Sequence, residues 1–186
     1  MKLKAVSLFV IAGLVFLSFM NGSQEPREGL EVGDKAPEIN ARLINGKGFS
    51  TDSLKGKMIL VSFWASYDAP SRIENFRKKV LLDQYRLKSF YKSKGLVVVS
   101  VSLDRFKAPY LSSIGRDGIE NFYHLCDFKG RESKLAEVFS VEDQMMSFLI
   151  DGEGRIVDRS SDLGHIEATL QRLDAQHISH LAFGSR

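Results

Sequence analysis

The sequence predicts an α/β fold, a central mixed β-sheet flanked by helices on both faces. Residues 58–65 and 96–103 are continuous apolar runs with β-branched or aromatic members, which is typical of buried strands. Pro70 suits the first turn of a helix between them, because its missing N–H costs nothing there. Strand, helix and strand in this order indicate a right-handed parallel unit. Residues 147–150 and 155–158 predict an antiparallel pair, which makes the sheet mixed.

The elements before the central strand are predicted to form a hairpin. Residues 38–44 are a weak strand, Asn45-Gly46 is a strong signal for a tight turn, and residues 49–51 return from it.

The first long helix is predicted to run from Pro70 to about Lys94, with Gly95 as its C-terminal stop. Its apolar positions recur at helical spacing, so we expect them to form the buried face. These positions are Ile73, Phe76, Val80, Leu87 and Tyr91.

The remaining elements alternate in the same way. A short helix is expected after Pro109, a strand at residues 122–126 and a short helix at residues 133–139. The last helix is predicted to begin near Asp162. Its expected shared face consists of Ile166, Leu170, Leu173, His177, Ile178 and Leu181.

The first 22 residues are predicted to be a signal peptide or an N-terminal membrane anchor. Lys2 and Lys4 precede an apolar run over residues 5–20, which is the pattern of a secretion signal. A buried N-terminal helix is the alternative, but nothing polar interrupts the run to give it a water-facing side. Residues 23–32 are predicted to be a linker and residues 33–186 the folded domain. We therefore expect an exported protein, periplasmic or anchored in the inner membrane and facing the periplasm.

Charge and cysteine content exclude several classes of function. The formal net charge is +3, which falls to +1 without Lys2 and Lys4, so nothing favours nucleic-acid binding. One cysteine, Cys126, cannot form an internal disulfide. No cofactor and no metal are predicted.

The segment around Pro70 carries a family resemblance. Residues 63–74 read F-W-A-S-Y-D-A-P-S-R-I-E, which resembles the F-W-A-S-W-C-x-P-C-R-x-E of thioredoxin-like proteins. Further resemblances follow in order: G-D-K-A-P at 33–37, L-K-G-K at 54–57, V-S-V-S-L-D at 99–104 and F-L-I-D-G at 148–152. Together they resemble the exported bacterial thiol-disulfide oxidoreductases of the TlpA and ResA type. The resemblance implies a thioredoxin-like fold.

Three positions depart from that family. Asp68 and Ser71 stand where the family has its two redox cysteines, and Met145 stands where it has a cis-proline. Disulfide exchange needs a thiolate to attack and a second thiol to release the mixed disulfide. The resemblance therefore implies the scaffold of a redox site without its sulfur. Because a non-proline cis peptide costs about 2.5–4 kcal/mol, the peptide before Met145 is expected to be trans.

What remains at this loop has two interpretations. Asp68 or Ser66 caps the helix, which needs no partner, or Asp68 belongs to a recognition surface. If recognition survives, we expect Tyr67, Asp68 and Met145 to lie together. The partner-binding candidates are Trp64, Tyr67, Asp68, Ala69, Pro70, Met145 and Met146. Trp64 is also a candidate for packing at the edge of the core.

Other residues are weaker candidates for chemistry. Cys126 is either a lone reactive thiol or, as we expect, a buried and inert one. His177 and His180 lie three residues apart and would need a further ligand to hold a metal, while His124 and His165 read as structural. The basic run at residues 77–79 is expected to be a solvated helix face.

The sequence thus predicts a redox-inactive thioredoxin-like protein that binds a protein or peptide of the cell envelope through the old active-site surface. The alternative is a thiol-disulfide oxidoreductase-type or lone-thiol enzyme that uses Cys126 with a cysteine of a partner. A scaffold with no remaining role is the third hypothesis. Neither nucleic acid nor membrane is an expected partner, apart from an N-terminal anchor.

Overall fold

A computed structural model describes residues 27–90 and 92–183. The strands are β1 (Asn40–Arg42), β2 (Gly48–Ser50), β3 (Met58–Trp64), β4 (Ser89–Phe90), β5 (Ser93–Lys94), β6 (Leu96–Ser102), β7 (Tyr123–Leu125), β8 (Ser147–Ile150) and β9 (Ile156–Ser160). The α-helices are α1 (Ala69–Tyr85), α2 (Lys107–Asp117), α3 (Lys134–Val138) and α4 (Leu163–Phe183).

The central sheet has five strands in the order β7-β6-β3-β8-β9. Strand β3 pairs in parallel with β6, where Val61 lies opposite Val99, and antiparallel with β8, where Val61 lies opposite Phe148. Every residue of β3 is buried, as expected for a continuous apolar run at the centre of a sheet. The predicted mixed α/β fold is confirmed.

Two hydrophobic clusters cover the two faces of the sheet. On one face, Phe63 packs with Phe49 of the β1–β2 hairpin and with Ala136 of α3. On the other, Leu60 packs with Tyr110 of α2 and Leu170 of α4. The predicted hairpin is confirmed, and Gly46 has the positive φ of 84° that its turn requires.

Helix α1 is shorter than predicted. It ends at Tyr85 rather than near Lys94, and a small hairpin, β4–β5, occupies the following residues. The early end lets Phe90 bury its ring 5.8 Å from that of Tyr85. Gly95 does not stop the helix: at φ 72° it closes the hairpin, where a Cβ would lie only 2.4 Å from the carbonyl oxygen of Arg86.

The predicted buried face of α1 is wrong. Ile73, Phe76, Val80 and Leu87 are exposed, and Tyr91 lies outside the described residues. The buried positions are Ser71, Asn75, Lys78, Leu81 and Tyr85. The reason is polar: the Asn75 amide and the Arg72 guanidinium both donate to the Asp117 carboxylate at the end of α2, which turns this face inward.

Helix α4 begins as predicted and keeps only half of its predicted apolar face. Ile166 and Leu170 are fully buried, whereas Ile178 and Leu181, toward the other end of the helix, are exposed.

The predicted signal or anchor segment, residues 1–22, lies outside the described residues. Part of the predicted linker is described and is hydrogen bonded to the domain: the Gly29 N–H donates to the Lys35 carbonyl at 3.1 Å, and Arg159 Nη1 donates to that of Leu30 at 3.0 Å. Over residues 27–90 and 92–183, no helix combines the length and the apolar character needed to span a bilayer.

Candidate functional site

Asp68 is the N-cap of α1. Its Oδ2 accepts a hydrogen bond from the Ser71 N–H at 2.9 Å, and its backbone is extended, as capping requires. Ala69 and Pro70 fill the exposed first turn of the helix. The predicted cap is confirmed, and it places a carboxylate at the positive end of the helix dipole.

Ser71 is buried and its hydroxyl is engaged with the backbone. The Oγ donates to the Asp68 carbonyl at 3.0 Å and accepts from the Ala65 N–H at 3.3 Å. Neither of these hydrogen bonds engages a side chain that could act as a base for its proton. The Ser71 hydroxyl therefore stabilises the loop before α1 by binding its backbone.

Asp104 is a functional support that the sequence analysis missed. Its buried carboxylate accepts from the Ser66 N–H at 3.0 Å, from Ser66 Oγ at 2.5 Å and from Ser102 Oγ at 2.6 Å. It lies two residues after the end of β6, and Ser66 lies two residues after the end of the neighbouring β3. A carboxylate just after a parallel strand was the available signal, since strand ends meet at one edge of a sheet. Asp104 fixes the loop that presents Asp68.

The two aromatic candidates, Trp64 and Tyr67, differ in their exposure to solvent. Trp64 is 1% exposed and its Nε1 donates to Ser100 Oγ at 2.7 Å, so the packing interpretation is confirmed and it presents no surface to a partner. Tyr67 is 63% exposed, with its hydroxyl 3.4 Å from the Leu103 carbonyl that accepts its hydrogen bond.

A pocket of about 300 Å³ lies between the loop before α1 and the loop before β8. Its lining consists of Asp68, Pro70, Ser71, Glu74, Asp143, Gln144, Met145 and Ser161. Asp68 and Met145 thus meet as predicted, but Tyr67 is directed toward Leu103 and does not line the pocket. The peptide before Met145 is trans, as expected. Met146 is a partly buried core residue whose carbonyl accepts from the Phe63 N–H at 2.9 Å.

A buried lysine lies beside this pocket, contrary to prediction. Lys78 is 1% exposed, so it is not part of a solvated basic face. Its Nζ is 3.8 Å from Glu74 Oε2 and has no hydrogen-bond partner among the described residues. Burial lowers the pKa of Lys78 to about 8, and the nearby Glu74 and Asp68 carboxylates oppose that shift.

Cys126 is only half-buried, where full shielding was expected. Its Sγ lies 3.6 Å from the Asp104 carbonyl, and the residue lines a cleft of about 520 Å³ with Val101 and Leu135. Burial raises the pKa of the Cys126 thiol, although hydrogen bonds from the Phe128 backbone and the Ser102 side chain favour the thiolate. The thiol is separated from Asp68 by the Asp104 support.

The histidines show no metal site. In the described ranges, no group of three or more His, Cys, Asp or Glu residues could hold a metal ion. His177 and His180 therefore belong to no such group. His124 is buried, with Nε2 2.7 Å from the Ile119 carbonyl, and burial lowers its pKa.

Comparisons with known proteins agree with the fold. No family model matches the chain. A thiol-disulfide oxidoreductase ResA of Bacillus cereus is 24% identical over 161 residues, 84% of each chain. ResA of Bacillus subtilis is 26% identical over 131 residues, 70% of this chain and 68% of that protein. The chain is similar to these ResA proteins and has a thioredoxin-like fold.

Solved structures share the fold of this chain. A thiol:disulfide interchange protein from a Bacteroides species superposes with a TM-score of 0.62 at 26% identity, covering 78% of this chain and 91% of that one. The thioredoxin domain of a thiol-disulfide oxidoreductase from Bacteroides vulgatus gives 0.67 at 23% identity, covering 78% and 99%. With Cys126 as its one cysteine, this ResA-like chain has no Cys-x-x-Cys pair.

Proposed function

We propose that this protein is a redox-inactive, exported member of the ResA-like family that binds a protein or peptide of the cell envelope through the loop before α1. One observation carries the proposal: Asp68 Oδ2 accepts the capping hydrogen bond from the Ser71 N–H. These two residues stand at the positions where the ResA-type proteins have their cysteines. A carboxylate engaged as a cap and a hydroxyl engaged with the backbone supply neither an attacking thiolate nor a resolving thiol.

The surface that remains is suited to binding. Pro70 and Met145 give the pocket apolar walls, and the Asp68, Glu74 and Asp143 carboxylates give it negative charge. A methionine adapts its shape to different contacts, and a carboxylate beside it adds selectivity by charge. A peptide segment with an apolar and a basic side chain fits these two properties.

Preorganisation supports the same proposal. The three hydrogen bonds that Asp104 accepts hold Ser66, two residues before the cap. A loop fixed in this way loses little conformational entropy on binding.

Site-specific photocrosslinking in the native host tests the proposal. We expect a photoreactive amino acid at Tyr67 to crosslink one discrete envelope protein, and the matched position Lys47, exposed on the β1–β2 hairpin, not to do so. The crosslink should be lost with Met145→Glu, which adds a charge to the pocket. Equal crosslinking from both positions, or none from Tyr67, would contradict recognition at this loop.

The alternative, a lone-thiol enzyme using Cys126, rests on the half-exposed thiol and its cleft. The raised pKa of the thiol weighs against it, since the thiolate is the nucleophile. Turnover of a model disulfide that disappears with Cys126→Ser would favour this alternative over the proposal.

A further inference from the structure

The outward side of α1 carries a line of exposed apolar side chains. Ile73 is 68% exposed, Phe76 63%, Val80 49% and, just beyond the helix end, Leu87 87%. We name these four residues the α1 ridge. Contiguous exposed apolar surface of this kind is uncommon on soluble proteins and marks interaction sites.

The spacing of the ridge matches a helix-pairing seam. The steps from Ile73 to Phe76 to Val80 are three and four residues, and Asp83 takes the next position of this spacing; Leu87 lies beyond the end of α1 at Tyr85. This is the a/d repeat whose side chains insert between those of a second helix.

Neighbouring helices hold the ridge in place. Arg72, on one flank of α1, is paired with Asp117 of α2, and Arg77, on the other flank, lies 3.4 Å from Glu167 of α4. Helix α1 is therefore fixed from both sides, with its apolar line directed away from both contacts.

Charges around the ridge decide between a second copy and a different protein. Asp83 takes the seam position between Val80 and Leu87, and exposed Arg86 and half-exposed Lys79 lie along one edge. An antiparallel pair of identical helices centred between Phe76 and Val80 would place Lys79 of each copy beside the same residue of the other. A parallel pair would place the two Asp83 carboxylates together. Like charges at these distances are destabilising, so self-association is disfavoured.

We propose that the α1 ridge docks an amphipathic helix of a different protein, with acidic flanks and a lysine or arginine in its seam opposite Asp83. The acidic flanks would face Lys79 and Arg86, and the basic residue would pair with the Asp83 carboxylate. The α1 ridge is separate from the pocket between the loops before α1 and β8, because no ridge residue lines that pocket.

A synthetic peptide of three heptads is the probe. Its a and d positions are leucine except for one lysine, and the positions that flank them are glutamate. A control peptide has the same a and d positions and lysine at the flanking positions. We expect the full chain to bind the acidic-flanked peptide at least tenfold more tightly in fluorescence anisotropy. The triple variant Ile73→Gln, Phe76→Gln, Val80→Gln should lose at least tenfold of that affinity, while Gln171→Ala on α4 should not change it. Unchanged circular dichroism of the triple variant shows that it still folds.

Asp68→Asn, which alters the pocket, should leave peptide binding unchanged, so failure here and failure at the pocket are distinguishable. The inference would be overturned if the full chain bound the two peptides equally. It would also be overturned if the triple variant bound the acidic-flanked peptide as tightly as the wild type. So would a concentration-dependent dimer in sedimentation that the triple variant abolishes, which would identify a second copy as the occupant. Ridge-dependent binding to phosphatidylglycerol vesicles in preference to the peptide would identify a membrane instead.

Discussion

Strand β3 and helix α1 follow one another along the chain, yet their apolar residues face opposite environments. All seven residues of β3 are buried, including Ser62, whose hydroxyl lies 2.9 Å from that of Ser147. In α1 the apolar ridge faces outward and Ser71, Asn75 and Lys78 face the sheet. A hydrophobic period predicts that a helix has an apolar face, but the contacts at its ends decide which face turns inward.

The end contacts of α1 explain its orientation. The capping bond of Asp68 and the donors from Arg72 and Asn75 to Asp117 set the rotation of the first two turns. Further along, Leu81 and Tyr85 bury their side chains on the same side and supply the hydrophobic contact. A central strand buried on both faces has no such choice.

The largest effect should come from the strand. Leu60 of β3 is fully buried, so Leu60→Ala should lower the free energy of unfolding by about 2–5 kcal/mol. Urea denaturation followed by circular dichroism measures it, with Val80→Ala on the exposed ridge as the matched control. Similar losses in the two variants would remove the contrast between strand and ridge.

Replacing the buried lysine should stabilise the protein. Lys78→Met shortens the side chain by one atom and removes a buried charge that has no hydrogen bond among the described residues, so the free energy of unfolding should rise by about 1–4 kcal/mol. The Glu74 carboxylate keeps a hydrogen bond from the Leu163 N–H at 3.3 Å. A destabilised Lys78→Met would mean that the ion pair with Glu74 outweighs the desolvation of the ammonium.

The same lysine gives a pH dependence with a definite sign. Its pKa is about 8 in the folded protein against an ordinary 10.5, so between these values the unfolded chain binds more protons. The free energy of unfolding should therefore rise from pH 8 toward pH 10, and Lys78→Met should flatten this rise. The Cys126 thiol, whose pKa is raised by burial, adds an opposite trend above about pH 9, and the buried Tyr110, whose pKa is also raised, does so above about pH 10. The same pH dependence from 8 to 10 in the wild type and in Lys78→Met would contradict the desolvation of Lys78.

The cap should have an intermediate effect. Asp68→Ala removes the acceptor for the Ser71 N–H and should cost about 0.5–2 kcal/mol in thermal or urea unfolding. Asp68→Asn keeps a capping oxygen and should cost much less. If the two variants lose the same stability, the charge of Asp68 at the helix end matters more than its hydrogen bond.

The smallest effect should come from the ridge. Phe76→Gln exchanges an exposed ring for a polar side chain, so the free energy of unfolding should change by no more than about 0.5 kcal/mol. A loss above about 1 kcal/mol would show that the ring packs within the protein.

Sequence reasoning found what local patterns determine. The two apolar strands, the Asn45-Gly46 turn and the capping role of Asp68 are each encoded by adjacent residues. The inward face of α1 depends on Asp117, which is 42 residues from Asn75 in the sequence. The early end of the helix depends on the burial of Phe90 against Tyr85. At the site, the meeting of Asp68 with Met145 followed from the family fold. The direction of Tyr67, the support from Asp104 and the burial of Lys78 are long-range contacts that no local pattern predicted.

The absence of sulfur chemistry at Asp68 and Ser71 is tested most directly by disulfide exchange. Purified protein is assayed for insulin reduction with dithiothreitol, beside its Cys126→Ser variant and an active thiol-disulfide oxidoreductase. We expect neither form to exceed the uncatalysed rate, because no pair of thiols is available to attack and release a mixed disulfide. Catalysed turnover by the wild type would contradict it.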